Sequence, residues 1–146
     1  MDTKSSLQLT AEGAEKILMA AVAKVKEMGI PMSVAIVDSG THLLAFARTD
    51  GGKPHTVKIA IAKARAAASN RLPTGKIGSV GTQVDDFTAT ALMLAAGPDL
   101  YVTFPGGLPI EVDGQCVGGI GVSGGTGQQD VEVAKAGLAA LRVSSP

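Results

Sequence analysis

The apolar positions in the first part of the chain have the spacing of an amphipathic helix. Between Leu9 and Met28 an apolar residue recurs every three or four positions, at Ala14, Ile17, Leu18, Ala21, Val22 and Val25. This period places the apolar side chains on one face of a helix. The Thr10 hydroxyl can cap the N-terminus, and Gly29 and Pro31 stop the helix. The pattern therefore predicts a helix from Leu9 to Met28.

In the rest of the chain, short β-branched runs alternate with Ala-rich and Gly-rich segments. β-Branched and aromatic runs are typical of strands, and clusters of Gly and Pro are typical of the turns between elements. On this basis we predict, in chain order, strands at 32–38 and 41–48, a helix at 54–70, a loop at 72–83, a helix at 85–94, strands at 100–104, 108–112 and 115–122, and a final helix that starts after Thr126.

Two tight turns indicate how the strands run. Ser39-Gly40 separates the first two strands, and Asp113-Gly114 separates the last two. Strands joined by such short turns are antiparallel neighbours. The five predicted strands therefore form a mainly antiparallel sheet with helices packed on it, which is an α+β fold. No linker or repeat divides the chain, so we expect residues 1–146 to form one domain.

Composition and charge exclude several classes of partner. Thirteen basic residues balance thirteen acidic ones, and aromatic residues make up 3% of the chain. Nucleic-acid binding needs a basic surface or stacking aromatic side chains, so we predict no nucleic-acid partner. The apolar stretches are too short to span a bilayer, and the N-terminus lacks the segments of a signal peptide. We therefore expect no membrane partner and a cytoplasmic protein. The single cysteine and two histidines lack the spacing of a metal site.

Three blocks of the sequence together resemble the GlcG/HbpS family. They are VAIVDSGTHLLAFARTDG, IAIAKARAAA and PGGLPIEVDGQCVGGIGVSGGTGQQDVEVAKAGLAAL, and the likeness runs from about Leu7 to Leu141. This family includes the C-terminal domain of PduO-type cobalamin adenosyltransferases. The resemblance implies a profilin-like fold, with a five-stranded antiparallel sheet flanked by helices, in dimers that often assemble further. It also implies a small-molecule ligand, because some members bind haem and others accompany the catabolism of small or aromatic acids.

Two glycine-containing turns could hold an anion with their backbone N–H groups. One turn consists of Gly106 and Gly107, and the other consists of Ser123, Gly124, Gly125 and Thr126. Unhindered N–H groups at the start of a helix bind carboxylates or phosphates. The alternative is that both turns are close connections and that Thr126 only caps the last helix, with Gln129 at capping-box spacing.

Two cations are candidate partners for a carboxylate ligand. Arg48 ends the second predicted strand, where its guanidinium could bind a carboxylate or could pair with Asp50. Lys63 lies in the apolar phrase IAIAKARAAA, where it could bind an anion or extend to the surface. The resembled family has the same Lys-Ala pair, which favours ligand binding by Lys63.

His55 and Asp86 are the candidates for proton transfer. His55 lies in the first turn of the second predicted helix, and Asp86 lies at the start of the third. With Lys63 or Arg48 stabilising negative charge, they would serve a cofactor-free lyase or isomerase that acts on a small aromatic or unsaturated acid. Haem-binding relatives of the PduO type use a histidine on the first helix. Residues 10–28 contain none, so haem bound through that position is not expected.

Three functions remain open at this point. The first is a ligand-binding or accessory catabolic protein, a homo-oligomer that holds a small carboxylated or planar organic molecule, with the loop at 72–83 as a lid. The second is the lyase or isomerase. The third is a haem- or corrinoid-binding protein. The sequence leaves open both whether the chain is an enzyme and whether it uses a cofactor.

Overall fold

The computed structural model describes residues 1–141, which form four helices and four strands. In chain order these elements are α1 (Ala11–Met28), β1 (Ser33–Asp38), β2 (Leu43–Arg48), α2 (His55–Asn70), α3 (Asp86–Ala96), β3 (Gly107–Val112), β4 (Gln115–Ser123) and α4 (Gly127–Leu138). Every predicted helix is present. None of the helices within residues 1–141 has the length and apolar character needed to cross a membrane.

The strands form one antiparallel sheet in the order β2-β1-β4-β3. The two outer pairs are the hairpins that the short turns predict. The central contact joins β1 to β4, and it runs in register from Ser33 opposite Ser123 to Asp38 opposite Gly118. The prediction of an α+β fold with an antiparallel sheet is confirmed.

The sheet has four strands within residues 1–141, so the expectation of five was wrong. The predicted strand at 100–104, LYVTF, is irregular. Its first two N–H groups bond back to the Gly97 carbonyl, at 3.1 and 3.2 Å, and the Phe104 carbonyl accepts from the Thr74 hydroxyl at 2.6 Å. These N–H and carbonyl groups are therefore bonded to a turn and to a side chain instead of to a neighbouring strand. The β-branched and aromatic character that predicts a strand reflects burial here, because Tyr101 and Val102 are buried.

The two faces of the sheet have different cores. Alternate residues of β1 point to opposite faces, as in any strand. Val34 and Ile36 join the larger core under α1 and α4, whereas Ala35 and Val37 join a smaller core under α2. The face under α2 contains mainly small residues, so α2 lies close to the strands.

Glycines in β3 and β4 allow this close approach. A Cβ built on Gly121 would lie 2.0 Å from the Ala60 carbonyl oxygen, and one on Gly119 would lie 2.2 Å from the Ala64 carbonyl oxygen. Neither distance is possible for a real side chain. The α2 backbone therefore packs directly against the strands, which explains the many alanines on that helix.

The segment at 72–83 is a loop, as predicted, but it has internal structure. Gly78 and Val84 donate backbone hydrogen bonds to Thr82 and Lys76, at 2.9 and 3.0 Å. The Tyr101 hydroxyl also donates to the Ile77 carbonyl at 3.0 Å. These bonds hold the loop in a folded turn beside the irregular segment at 98–104.

Candidate functional site

A cleft of about 620 Å³ lies between α2, the C-terminal half of α3 and the segment that follows α3. Its walls are mostly apolar side chains from distant parts of the sequence. The lining residues are Lys58, Ile59, Ala62, Met93, Pro98, Asp99, Val102, Thr103 and Phe104. Cavities that bind small organic molecules are usually of this size and are mainly apolar, with a few polar groups. The cleft is therefore the candidate functional site.

The two charged side chains that line the cleft, Lys58 and Asp99, differ in whether they already have an ion-pair partner. Asp99 forms an ion pair with Arg65, a half-buried residue of α2. Lys58 is exposed and lies on the same side of α2 as Arg65, seven positions earlier. No carboxylate of residues 1–141 lies within 4.0 Å of its ammonium group. Lys58 is therefore the cation of the cleft that is available to an acidic ligand.

Lys63 points away from the cleft, into the protein. Its side chain is 4% exposed, and its Nζ donates hydrogen bonds to the Val122 carbonyl at 2.8 Å and to Asp130 Oδ2 at 2.9 Å. Burial raises the pKa of Asp130, although the hydrogen bond and positive charge of Lys63 act in the opposite direction. Lys63 neither extends to the surface nor faces a cavity here, because its charge is paired with a buried carboxylate.

The glycine turns meet around this ion pair. The Gly125 N–H donates to Asp130 Oδ1 at 2.9 Å, and a Cβ built on Gly106 would lie 2.9 Å from Lys63 Nζ. Ser123, at the end of β4, is buried beside them, and Gly124 lies in the exposed bend that follows. The structure thus brings together most of the residues that the sequence suggests for an anion site. The anion that they surround is a carboxylate of the chain itself.

Three of the N–H groups at these turns, those of Gly107, Gly125 and Thr126, already have acceptors within the chain. The Thr126 N–H donates to Gln129 Oε1 at 2.9 Å, as part of the predicted capping box, which is present. The Gly107 N–H donates to the Thr74 hydroxyl at 2.9 Å. A ligand that used these donors would have to displace protein groups.

Arg48 lies at a different place, on the edge strand β2. It is opposite Ser33 of β1, and its stem packs over the loop, where a Cβ built on Gly52 would lie 2.7 Å from Arg48 Cγ. The side chain is exposed, and within residues 1–141 it has no ion pair with Asp50. Arg48 does not line the cleft.

The two candidates for proton transfer are not brought together. His55 is the exposed first residue of α2, and Asp86 is the exposed first residue of α3, where it pairs with Lys76 at 2.8 Å. Neither lines the cleft. Within residues 1–141, no three His, Cys, Asp or Glu side chains are grouped so that they could hold a metal ion.

Sequence reasoning missed the residues that form the cleft, chiefly Lys58, Met93 and Phe104. They come from three separate segments, and a lone Lys, Met or Phe on such a segment has no distinctive spacing. One signal was available in the sequence. After Asp86 the third helix has no charged residue, which is unusual for a helix that is expected to have a solvent-facing side.

Comparisons with known proteins agree on one family. The family model described as haem degrading protein HbpS-like matches residues 9–139. The GlcG protein of Escherichia coli strain K12 is 36% identical over 120 residues, which is 82% of this chain and 84% of GlcG. A solved structure of a double mutant of HbpS from Streptomyces reticuli has a TM-score of 0.81 at 34% identity, covering 97% of this chain and 92% of that one. The structure of a PduOC–haem complex has a TM-score of 0.79 at 26% identity, covering 94% and 98%.

Proposed function

The chain belongs to the HbpS-like family, and we propose on that basis that it binds a small, planar or carboxylated organic molecule in the cleft between α2 and α3. The single observation that carries this proposal is the cleft itself, with about 620 Å³ of mostly apolar space and a cation at its side. A ligand-binding or accessory role in catabolism needs such a site and does not require an acid or base in it.

The apolar part of the ligand would contact Ile59, Met93 and Phe104. Burial of apolar surface supplies about 25 cal/mol per Å², so even a single ring gains useful affinity there. Small side chains such as Ala62 leave room for a flat molecule against α2.

Lys58 would hold the acidic part of the ligand. Its ammonium group can donate to a carboxylate without breaking an ion pair of the described chain. A charge-assisted hydrogen bond of this kind contributes on the order of 1.5–3 kcal/mol. Lys63 and the glycine turns would not contact the ligand. Their contacts with Asp130, in the interior behind the cleft, would hold α2 and β4 in place. We assign Arg48 no contact with this ligand because it lies outside the cleft.

Haem is the second candidate ligand. The observation that favours it is the likeness to a chain solved as a PduOC–haem complex. Histidine is absent from α1, but Met93 supplies a thioether to the cleft, which is a known type of haem ligand, and Lys58 could pair with a propionate. If haem bound in the cleft, Met93 would be the residue that could hold the iron, and Lys58 would pair with a propionate.

Calorimetric titration with benzoate, phenylacetate, glycolate and haemin tests both candidates. We expect Lys58→Gln to weaken binding of the carboxylates by roughly 10- to 150-fold. Ala62→Phe should weaken binding of every ligand because the ring occupies part of the cleft beside Lys58 and Ile59. Lys53→Gln, which removes an exposed lysine outside the cleft, is the matched control and should bind as the wild type does. Unchanged affinity in Ala62→Phe would refute the cleft as the site.

For haemin, loss of the Soret band shift in Met93→Ala would support iron ligation by this residue, and an unchanged spectrum would exclude it.

A further inference from the structure

Asp99 is the acidic side chain that lines the cleft, and half of its carboxylate is available to a ligand. Oδ2 accepts a hydrogen bond from Nη1 of Arg65, whereas Oδ1 accepts none from residues 1–141. The side chain is 52% exposed, so Oδ1 is not enclosed by the protein. A carboxylate oxygen has two acceptor positions. Oδ1 can therefore accept an N–H or O–H group of a ligand.

The ion pair with Arg65 fixes the position of this carboxylate. Arg65 is a half-buried residue of α2, and Asp99 follows Pro98, whose ring restricts the backbone just after α3. A group that is held in place before the ligand arrives binds it at a lower entropic cost. The guanidinium also offsets part of the negative charge of Asp99. We therefore expect its attraction for a cationic group to be moderate.

Lys58 and Asp99 lie toward opposite ends of the cleft. Lys58, Ala62 and Arg65 are spaced by four and three, so they share one side of α2. With a rise of about 1.5 Å per residue, Lys58 and Arg65 are roughly 10 Å apart along the helix axis. Asp99 is bound to Arg65 and lies at that end, and the small side chain of Ala62 lies between the two charges. The wall of the cleft therefore has a cation, an apolar middle and an acceptor, in that order.

We infer that the cleft selects a molecule with an acidic group at one end of an apolar ring and an amino group at the other. Lys58 donates to the acid, as in the proposed function on which this inference rests, and Asp99 accepts from the amino group. The two contacts fix the direction in which the molecule lies, because exchanging its ends places like charges together on both sides. A ligand with acids at both ends places one of them against Asp99 and is disfavoured for the same reason.

The alternative is that the ion pair of Asp99 and Arg65 only fastens the segment at 98–104 to α2. Loss of a purely structural contact would loosen the wall of the cleft and weaken the binding of every ligand. A direct contact with the ligand depends on the charge of the ligand, so its loss changes the affinities for an amine and an acid in opposite directions. Ligands of similar shape and different charge therefore distinguish the two roles.

Calorimetric titration with three para-substituted benzoates makes this comparison. 4-Ethylbenzoate, 4-(aminomethyl)benzoate and terephthalate share the acidic ring and carry an apolar, a cationic and an anionic group at the opposite end. In the wild type, 4-(aminomethyl)benzoate should bind roughly 10-fold more tightly than terephthalate. Asp99→Asn should weaken binding of 4-(aminomethyl)benzoate by roughly 5- to 10-fold, because the side chain keeps its shape but loses its charge.

The other two ligands should respond differently to Asp99→Asn. Terephthalate should bind more tightly than it does to the wild type, because the guanidinium of Arg65 then has no carboxylate partner. The affinity for 4-ethylbenzoate should stay within about twofold, as for a surface substitution. Asp113→Asn removes an exposed carboxylate from a turn outside the cleft, where the φ of 51° suits Asn. This control should change none of the three affinities.

The results separate this inference from the proposed function. If Asp99→Asn weakens all three ligands alike or leaves all three unchanged, the inference is overturned, whereas the cleft remains the site as long as 4-ethylbenzoate binds. A wild-type protein that prefers terephthalate also overturns it, and this comparison needs no variant, so it decides the question even if circular dichroism shows that Asp99→Asn is unfolded. A wild-type protein that binds none of the three ligands overturns both the inference and the proposed function.

Discussion

Replacing Lys63 by Met should lower the free energy of unfolding by about 3–5 kcal/mol, which is the usual cost of removing one partner of a buried ion pair. Three contacts determine the effect. The Val122 carbonyl loses a donor at 2.8 Å, and Asp130 loses its cation at 2.9 Å. The carboxylate then keeps a single described donor, the Gly125 N–H at 2.9 Å. Both side chains are 4% exposed, so water cannot replace the lost ammonium group.

The size of this loss is large compared with the whole stability of a domain, which is about 5–15 kcal/mol. Most of it should come from the unpaired carboxylate, since an unpaired carbonyl costs only about 1–3 kcal/mol. The double variant Lys63→Met with Asp130→Asn tests this division. The Asn side chain can still accept from the Gly125 N–H but has no charge. We expect the double variant to be more stable than Lys63→Met alone.

The Asp130 carboxylate should also make the loss of stability in Lys63→Met dependent on pH. The pKa of Asp130 is raised in the folded protein, chiefly by burial, and the ammonium of Lys63 limits that rise. The folded state therefore holds this proton more tightly than the unfolded state, and stability falls as the pH rises from the unfolded to the folded pKa. Without Lys63 the folded pKa is higher, so this window extends upward. The destabilisation by Lys63→Met should be larger at about pH 8 than at about pH 5.

Chemical denaturation at the two pH values measures both effects. A change in stability within about 0.5 kcal/mol, as seen for surface substitutions, would refute the argument that the pair is buried and essential. A large change that is the same at both pH values would show that the unpaired Val122 carbonyl, rather than the carboxylate, determines the cost.

Two further predictions concern packing and the loop. Gly121→Ala should destabilise the protein by about 3 kcal/mol or more, because its Cβ would lie 2.0 Å from the Ala60 carbonyl oxygen, whereas Gly13→Ala, whose Cβ meets the flexible Leu9 side chain at 3.1 Å, should change stability little. Denaturation curves compare the two, and equal midpoints would mean that α2 can move away from the sheet. Thr74→Val removes the bonds to the Phe104 carbonyl and the Gly107 N–H, so hydrogen exchange at 72–83 should become faster, and an unchanged rate would show that other contacts hold the loop.

The sequence predicts the elements well where local chemistry determines them. The helical period of residues 9–28, the Thr126 capping box and the Asp113-Gly114 turn all depend on neighbours within a few positions. The strand predicted at 100–104 fails because its residue types indicate burial without showing what bonds to the backbone. Thr74, which bonds to this segment, lies 30 residues earlier in the chain.

The polar contacts were harder to predict because they join distant residues. The sequence marks Lys63 as an unusual lysine in an apolar helix, but it does not show that its partner is Asp130, which is 67 positions away. Asp130 lies near the start of α4, a position where acidic residues are common for local reasons. The prediction that Lys63 and the glycine turns bind a ligand stays a prediction. In the structure the Lys63 ammonium group and the N–H groups of Gly107, Gly125 and Thr126 have partners within the chain.

The positions of these residues explain why the family likeness predicts the fold better than the ligand. The glycine turns, Lys63 and Asp130 lie in the three sequence blocks that carry the likeness, and they hold α2 against the sheet. Most of the proposed cleft lies outside those blocks, including Lys58, Met93 and Phe104. Substitutions there can change the shape and charge of the cleft without disturbing the ion pair or the packing of α2. A relative that keeps the blocks can therefore keep the architecture and bind a different molecule, so the ligand of this chain has to be inferred from its own cleft.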